Sequence, residues 1–232
     1  AFLAEIRTWR ELLAKDIAAR NRALTLDELN TAVQNLIDRI IFLRIAEARG
    51  LEQHDALLDT VKSGDAGVYE RLLGLFKRAD DRYNSGLFHF SASGSSGPPD
   101  TLSPNLDVGD AVLNGLLPHL YYPHPYEFSV MPADILGRVY EQFLGETIIL
   151  SPGHQATVEA KPEVRKAGGV YYTPQPIVEY IVGKTLGPLL EGRTPKQVQN
   201  LRVVDPACGS GSFLIVAYQH LIDWHTDYYA TR

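Results

Sequence analysis

The sequence predicts a mainly α chain: a helical domain over residues 1–145, then the opening of a doubly wound α/β unit over residues 146–232. Three observations predict it. Apolar residues recur at spacings of three and four through the first 145 positions. At Glu146 the texture changes to short β-like runs separated by glycine and proline turns. Near the end, Leu201-Arg202-Val203-Val204-Asp205 leads through a glycine-rich turn into another helical run, the strand–turn–helix order that begins a doubly wound sheet.

Taken in order, Ile6, Trp9, Leu13 and Ile17 form one apolar stripe and predict a first helix. Thr25-Leu26-Asp27-Glu28 is a capping box, in which Thr25 accepts the amide proton of Glu28 and the Glu28 carboxylate reaches back. Behind it run Leu29, Val33, Leu36, Ile37, Ile40 and Leu43, closed by Arg49 and Gly50. The other face of that helix carries Asp38, Arg39, Arg44 and Glu47, expected as a solvated or lightly paired surface. Leu72, Leu75, Phe76 and Ala79 mark a further helix that stops at Asn84-Ser85-Gly86. Ser91 to Pro99 reads as a flexible loop. Val108 to Leu117 is a short helix ended by Pro118, and Tyr121 to Tyr126 is expected to be extended because of Pro123 and Pro125. Pro132 suits the first turn of a helix with Ile135, Leu136, Val139, Tyr140 and Phe143 inward and Gly145 as its stop.

Beyond Glu146, Thr147 to Leu150 and Ala156 to Ala160 are β-like runs around the turn Ser151-Pro152-Gly153. A helix through Ile177, Tyr180, Ile181, Leu186 and Leu189 follows, with Thr173 expected as its cap and Pro174 in its first position. Leu201 to Asp205 reads as a buried strand, and a last helix runs from about Phe213 to Trp224.

Composition narrows the function. With 232 residues, a net charge of −6 and 45% hydrophobic residues, the chain has the composition of a globular protein with a real core. Its longest apolar run, Phe213 to Tyr218, is far short of the roughly 18 residues that a membrane span needs. Charges throughout the first twenty residues exclude a secretory signal. The single cysteine, Cys208, makes neither an internal disulfide nor a cysteine-based zinc site, which points to a cytoplasmic location. The acidic balance argues against a dedicated nucleic-acid-binding module but permits a basic cleft on an acidic body. The chain begins at Ala1, not Met, and is expected to be a piece of something longer.

The chemistry concentrates in Asp205-Pro206-Ala207-Cys208-Gly209-Ser210-Gly211-Ser212. Glycines let a backbone approach a ligand, and a helix N-terminus offers unpaired amides. The dinucleotide pattern wants a third glycine where Leu214 stands, and a phosphate loop wants a lysine that is missing. What remains is a cradle for a ligand without a pyrophosphate.

The run Asp205 to Leu214 resembles the first S-adenosylmethionine motif of amino-directed DNA methyltransferases. Gly169-Val170-Tyr171-Tyr172-Thr173-Pro174, just upstream, resembles the motif that precedes it in the adenine-N6 group. Leu29 to Gly50, Tyr83 to Phe88 and Ile135 to Leu144 resemble the helical region ahead of the methyltransferase in single-chain (type IIG) restriction–modification enzymes and their phage-defence relatives. The resemblance covers nearly the whole chain and is strongest over residues 168–214.

It implies S-adenosylmethionine as cofactor, a Rossmann-like fold, and double-stranded DNA as the partner of the complete enzyme, methylated at adenine N6. Val170, Tyr171, Thr173 and Pro174 would hold the methionine end. Asp205 would sit near the cofactor's amino group, and Ala207, Cys208, Gly209, Gly211 and Phe213 would line the pocket, mostly through backbone. The Asn/Asp-Pro-Pro-aromatic motif that holds the flipped adenine does not occur here. No catalytic residue is therefore assigned, the methyltransferase domain is expected to be truncated, and the chain alone is expected to be inactive. Nuclease and target-recognition domains would lie outside it.

Several tempting features are set aside. Cys208 lies inside the cofactor turn, where a thiolate would meet the cofactor instead of a base, so it is read as a small buried hydrophobe. Glu159-Ala160-Lys161 has the form of a nuclease metal site, but the nearest Pro-Asp partner, Asp100, lies in the Gly/Ser/Pro loop. His119 with His124, and His220 with His225, are wrongly spaced for one helix face, so no metal is expected. Arg39, Arg44, Arg71, Lys77 and Arg78 are candidates for sequence-independent DNA contact, each weighed against a solvated face. Two other functions share these features: a methyltransferase of a non-DNA substrate, and a non-enzymatic helical assembly module with a vestigial turn.

Overall fold

A computed structural model describes residues 2–62, 64, 66–83, 85–91, 98–131, 135–161 and 173–231. Contacts divide the chain into two compact units, 1–168 and 169–232. The division falls beyond the boundary expected at Glu146, because the hairpin that follows Gly145 packs with the helices of the first unit.

The first unit is built on two long helices, α1 (Phe2–Arg20) and α2 (Leu26–Ala48). Ile6, Trp9, Leu13 and Ile17 are all buried, as their spacing predicts. The capping box forms as read: Glu28 N–H donates to Thr25 Oγ1 at 3.3 Å, and Thr25 N–H donates to Glu28 Oε2 at 2.8 Å. Helices α3 (Ala56–Lys62), α4 (Val68–Tyr83), α5 (Asp110–Leu116) and α6 (Ile135–Gly145) complete the unit. The Asp110 carboxylate accepts the Gly67 and Val68 amides and so caps the start of α4. Pro118 opens a 3-10 turn, Leu117–Leu120, directly after α5. Residues Tyr121 to Tyr126 form turns and not an extended strand, with the His124 amide donating to the Tyr121 carbonyl. Pro132 and the loop residues 92–97 lie outside the described residues.

Strands β1 (Glu146–Leu150) and β2 (Ala156–Ala160) pair antiparallel, Ile148 opposite Val158. An isolated two-stranded hairpin is marginal in water, and here helical side chains complete it. Asn30 accepts the Ile148 amide at 3.0 Å and donates to the Ile148 carbonyl at 3.4 Å, standing in for a third strand. Arg10, buried against the Phe143 ring, donates to the Glu146 carbonyl at 3.4 Å.

The polar face of α2 is not a solvated surface. Arg39 and Glu47 are buried, and each is held by several partners. Arg39 donates to the Leu87 carbonyl, Ser103 Oγ and Asp100 Oδ2 at 2.7–2.8 Å, and its guanidinium lies over the Phe76 and Phe90 rings. Glu47 accepts from the Leu57 amide and the Tyr121 hydroxyl. A charge is tolerated inside a protein only when its partners replace water, and these residues reach theirs from segments far along the chain.

The second unit contains α7 (Gln175–Leu190), the short α8 (Pro195–Val198) and α9 (Ser212–Ala230). Val178, Val182, Leu186 and Leu190 pack with Ala217 to make its small core. Leu201 to Asp205 is neither a strand nor buried: Val203 is 45% exposed and Val204 85%. A strand is defined by a hydrogen-bonded neighbour, and none of the described residues provides one.

Candidate cofactor turn and relatives of the chain

Asp205 to Gly211 forms a tight turn between residues 201–204 and α9. One oxygen of Asp205 accepts the Ala207 amide at 3.0 Å, and the Gly211 amide donates to the Cys208 carbonyl at 2.7 Å. Gly209 and Gly211 both hold positive φ, +53° and +78°, and Gly211 is the N-cap of α9. That left-handed backbone disfavours side chains. A Cβ at either glycine would meet nothing within 4 Å, so the constraint comes from φ and not from crowding by the chain. The hydroxyls of Ser210 and Ser212 lie 2.9 Å apart across the turn.

The expected site residues divide in three. Val170 and Tyr171 lie outside the described residues. Asp205, Ala207, Cys208, Gly209, Gly211 and Phe213 are gathered in the one turn. Thr173 and Pro174 stand at the entrance to α7, and no hydrogen bond among the described residues joins Thr173 to the turn. Thr173 does not cap α7. Pro174 occupies the N-cap, no side chain bonds the first amides, and a proline follows in the first turn as Pro176. Cys208 is exposed, not a buried hydrophobe.

An apolar groove of about 410 Å³ runs beside the turn, between α7 and α9. Its walls include Val182, Leu186, Val203, Asp205, Pro206 and Phe213. Two expected site residues, Asp205 and Phe213, thus border it, while the glycines do not.

Elsewhere the structure answers the set-aside features. Asp100 is engaged by Arg39, with Leu102 and Ser103 amides on its other oxygen, and Glu159 lies exposed on β2. His119 and His124 stack with ring centres 4.2 Å apart, and Glu5 Oε1 lies 3.1 Å from His119 Nδ1. Among the described residues, no group of three or more His, Cys, Asp or Glu could hold a metal ion. No described helix is long and apolar enough to cross a membrane. Of the basic candidates, Arg39 is buried, Arg44 is stacked between the Tyr121 and Phe128 rings, and Arg71 donates to the Thr60 and Ala66 carbonyls. Lys77 and Arg78 are exposed.

Residues 131–230 match the family model described as N-6 DNA Methylase. Over 98% of its length the chain is 33% identical to the type II restriction enzyme and methyltransferase RM.Eco57I of Escherichia coli. Over 92% it is 24% identical to a putative type II restriction enzyme and methyltransferase, RM.MjaORFECS2P, of Methanocaldococcus jannaschii. It spans 22% of the length of each. A shorter match, 33% identical over 38% of the chain and 12% of the relative, is to the type I restriction enzyme MjaIX methylase subunit of the same archaeon. No solved structure matches the chain. The turn at Asp205 to Ser212 lies inside residues 131–230, the region similar to the N-6 DNA methylases.

Proposed function

We propose that the chain is the cofactor-binding part of a site-specific DNA methyltransferase of a restriction–modification system. The enzyme transfers a methyl group from S-adenosylmethionine to adenine N6 in double-stranded DNA. One observation carries the reading: two glycines of positive φ and an aspartate lie at the entrance to α9, inside the segment that matches the N-6 DNA methylases.

The residues fit the cofactor by their chemistry. The Ala207 amide holds one Asp205 oxygen, leaving the other to accept from the cofactor's ammonium group. Glycine at 209 and 211 keeps the space before the turn clear of side chains, so backbone amides can approach a ligand. Thr173, Pro174, Val170 and Tyr171 are assigned to the methionine end, and Ala207, Cys208 and Phe213 to the pocket wall. S-adenosylmethionine supplies an activated methyl group when bound. The exposed valines of segment 201–205 are apolar side chains that a strand of a doubly wound sheet would bury, and we assign the segment that role in the complete enzyme.

The motif that would hold the adenine is not among these 232 residues, so the chain by itself transfers no methyl group. Its partners are duplex DNA and, in the complete enzyme, nuclease and target-recognition domains. The location is the cytoplasm. The test is made on a polypeptide that carries this chain together with an Asn/Asp-Pro-Pro-aromatic segment. Incubated with duplex DNA and methyl-labelled cofactor, it yields labelled N6-methyladenine, and Gly211→Val abolishes the label. Label in another nucleoside, or in a small molecule or protein instead of DNA, overturns the reading.

A further inference from the structure

We propose that the hydroxyls of Ser210 and Ser212 form a staple across Gly211 that sets the turn before α9 in its ligand-accepting shape, which makes both serines positioning residues for S-adenosylmethionine. The inference rests on the reading of this turn as the cofactor site. It gives a role there to two side chains that the resemblance to the cofactor motif leaves without one.

The two hydroxyl oxygens lie 2.9 Å apart, within hydrogen-bond distance. In a continuous helix, side chains two positions apart do not face each other. Here the residue between them, Gly211, holds φ +78°, and Ser212 is the first residue of α9. The left-handed backbone folds the chain at that point and brings the two hydroxyls to one side. Their bond closes a short ring around the glycine and opposes any return of its backbone to an extended conformation. Gly211 is also the N-cap of α9 and has no side chain, so no cap side chain accepts the first amides of the helix.

Packing does not fix this turn. Pro206, Ala207, Cys208 and Gly209 are exposed, and a Cβ at Gly209 or Gly211 would meet nothing within 4 Å. Short-range bonds shape it instead. The Ala207 amide donates to Asp205, and the Gly211 amide donates to the Cys208 carbonyl at 2.7 Å. Both of these lie within residues 205–211, and the serine pair ties that turn to the first residue of α9. A segment held by few buried contacts opens locally, and a site that must be ordered at each encounter binds more weakly. The staple keeps the turn ordered before the ligand arrives. Serine differs from alanine by one oxygen, so a Ser→Ala exchange removes the bond with little change in volume.

The test has two arms. In the 232-residue chain, hydrogen exchange of the Gly211 amide, followed by NMR, reads opening of the turn. Ser212→Ala should speed that exchange about five- to tenfold, the effect of one hydrogen bond, and leave the Val182 and Leu186 amides of α7 unchanged. The second arm uses the polypeptide that also carries an Asn/Asp-Pro-Pro-aromatic segment. There Ser212→Ala should raise KM for the cofactor by the same factor and leave kcat unchanged, because the staple acts before binding and takes no part in methyl transfer. Ser212→Thr keeps the hydroxyl and should restore both readings to near the wild-type values. Ser210→Ala should raise KM too, and the loss in Ser210→Ala/Ser212→Ala should fall short of the product of the single losses by about fivefold, since both exchanges break the same bond. Unchanged exchange or unchanged cofactor KM in Ser212→Ala overturns the staple. So does a threonine that restores neither, or single losses that multiply in full. Each of these failures leaves the methyltransferase reading standing, since that is decided by label in adenine and its loss in Gly211→Val.

Discussion

Arg39 and Asp100 are 61 residues apart in sequence and 2.7 Å apart in space. The pair closes the base of the segment between α4 and α5. Arg39 holds Leu87 on one side and Asp100 and Ser103 on the other, and the Asp100 amide donates to the His89 carbonyl. Burial alone would push the Asp100 carboxyl up. The Ser103 hydroxyl and amide, with the Arg39 guanidinium, outweigh it and hold the carboxyl below the usual range.

Removing that arginine should be costly. Arg39→Met leaves the half-buried Asp100 without its cation and should destabilise the helical unit by about 3 kcal/mol, measured by urea unfolding. Arg39→Lys should recover only part of the loss, because one ammonium cannot reach three acceptors in the guanidinium plane. A loss below about 1 kcal/mol, the range of a surface pair, would contradict the clamp.

Asp38 lies beside Arg39 and behaves oppositely. Burial raises its carboxyl to about 7, against the smaller lowering effects of Gln34 and Arg39, and its Oδ1 has no hydrogen-bond partner. The folded value exceeds the unfolded 3.8, so between about pH 4 and 7 the folded state binds more protons than the unfolded one. Stability from this group is present at low pH and falls as pH rises, by up to about 1.4 kcal/mol per unit. Asp38→Asn should flatten that fall and be more stable than wild type above pH 7. Parallel denaturation curves for the two proteins across this window would contradict it.

At the turn, Gly209→Ala and Gly211→Ala should each cost about 1–2 kcal/mol of stability in the second unit, from the positive φ alone. Thermal unfolding followed by circular dichroism checks this. No change would mean that the left-handed backbone is not required.

Thr173→Ala separates two roles. Since Thr173 caps nothing, the helix content and melting temperature should be unchanged. Cofactor affinity in the complete enzyme should fall, and calorimetry showing the same affinity would remove Thr173 from the site.

Legibility in the sequence followed the range of the interactions. The stripe of α1, the capping box of α2 and the β1–β2 turn depend on residues within a few positions of one another, and all were readable. The turn at Asp205 was readable for the same reason, since its glycines and aspartate are contiguous. The burial of Arg39 was not, because its partners Leu87, Asp100 and Ser103 sit 48 to 64 residues away. Nor was the exposure of Val204. An apolar run signals a buried strand only if other strands come to cover it. The Tyr122 turn escaped because proline excludes helix before it but does not choose between extended chain and turn.

The central claim is that Asp205 to Phe213 binds S-adenosylmethionine, and photo-crosslinking tests it most directly. The chain is irradiated with methyl-labelled cofactor at high concentration, digested, and the labelled peptide sequenced. The label should appear in the peptide spanning residues 203–213, compete away with unlabelled cofactor, and vanish in Gly211→Val. Label confined to residues 2–161, or label that Gly211→Val leaves unchanged, would contradict the assignment.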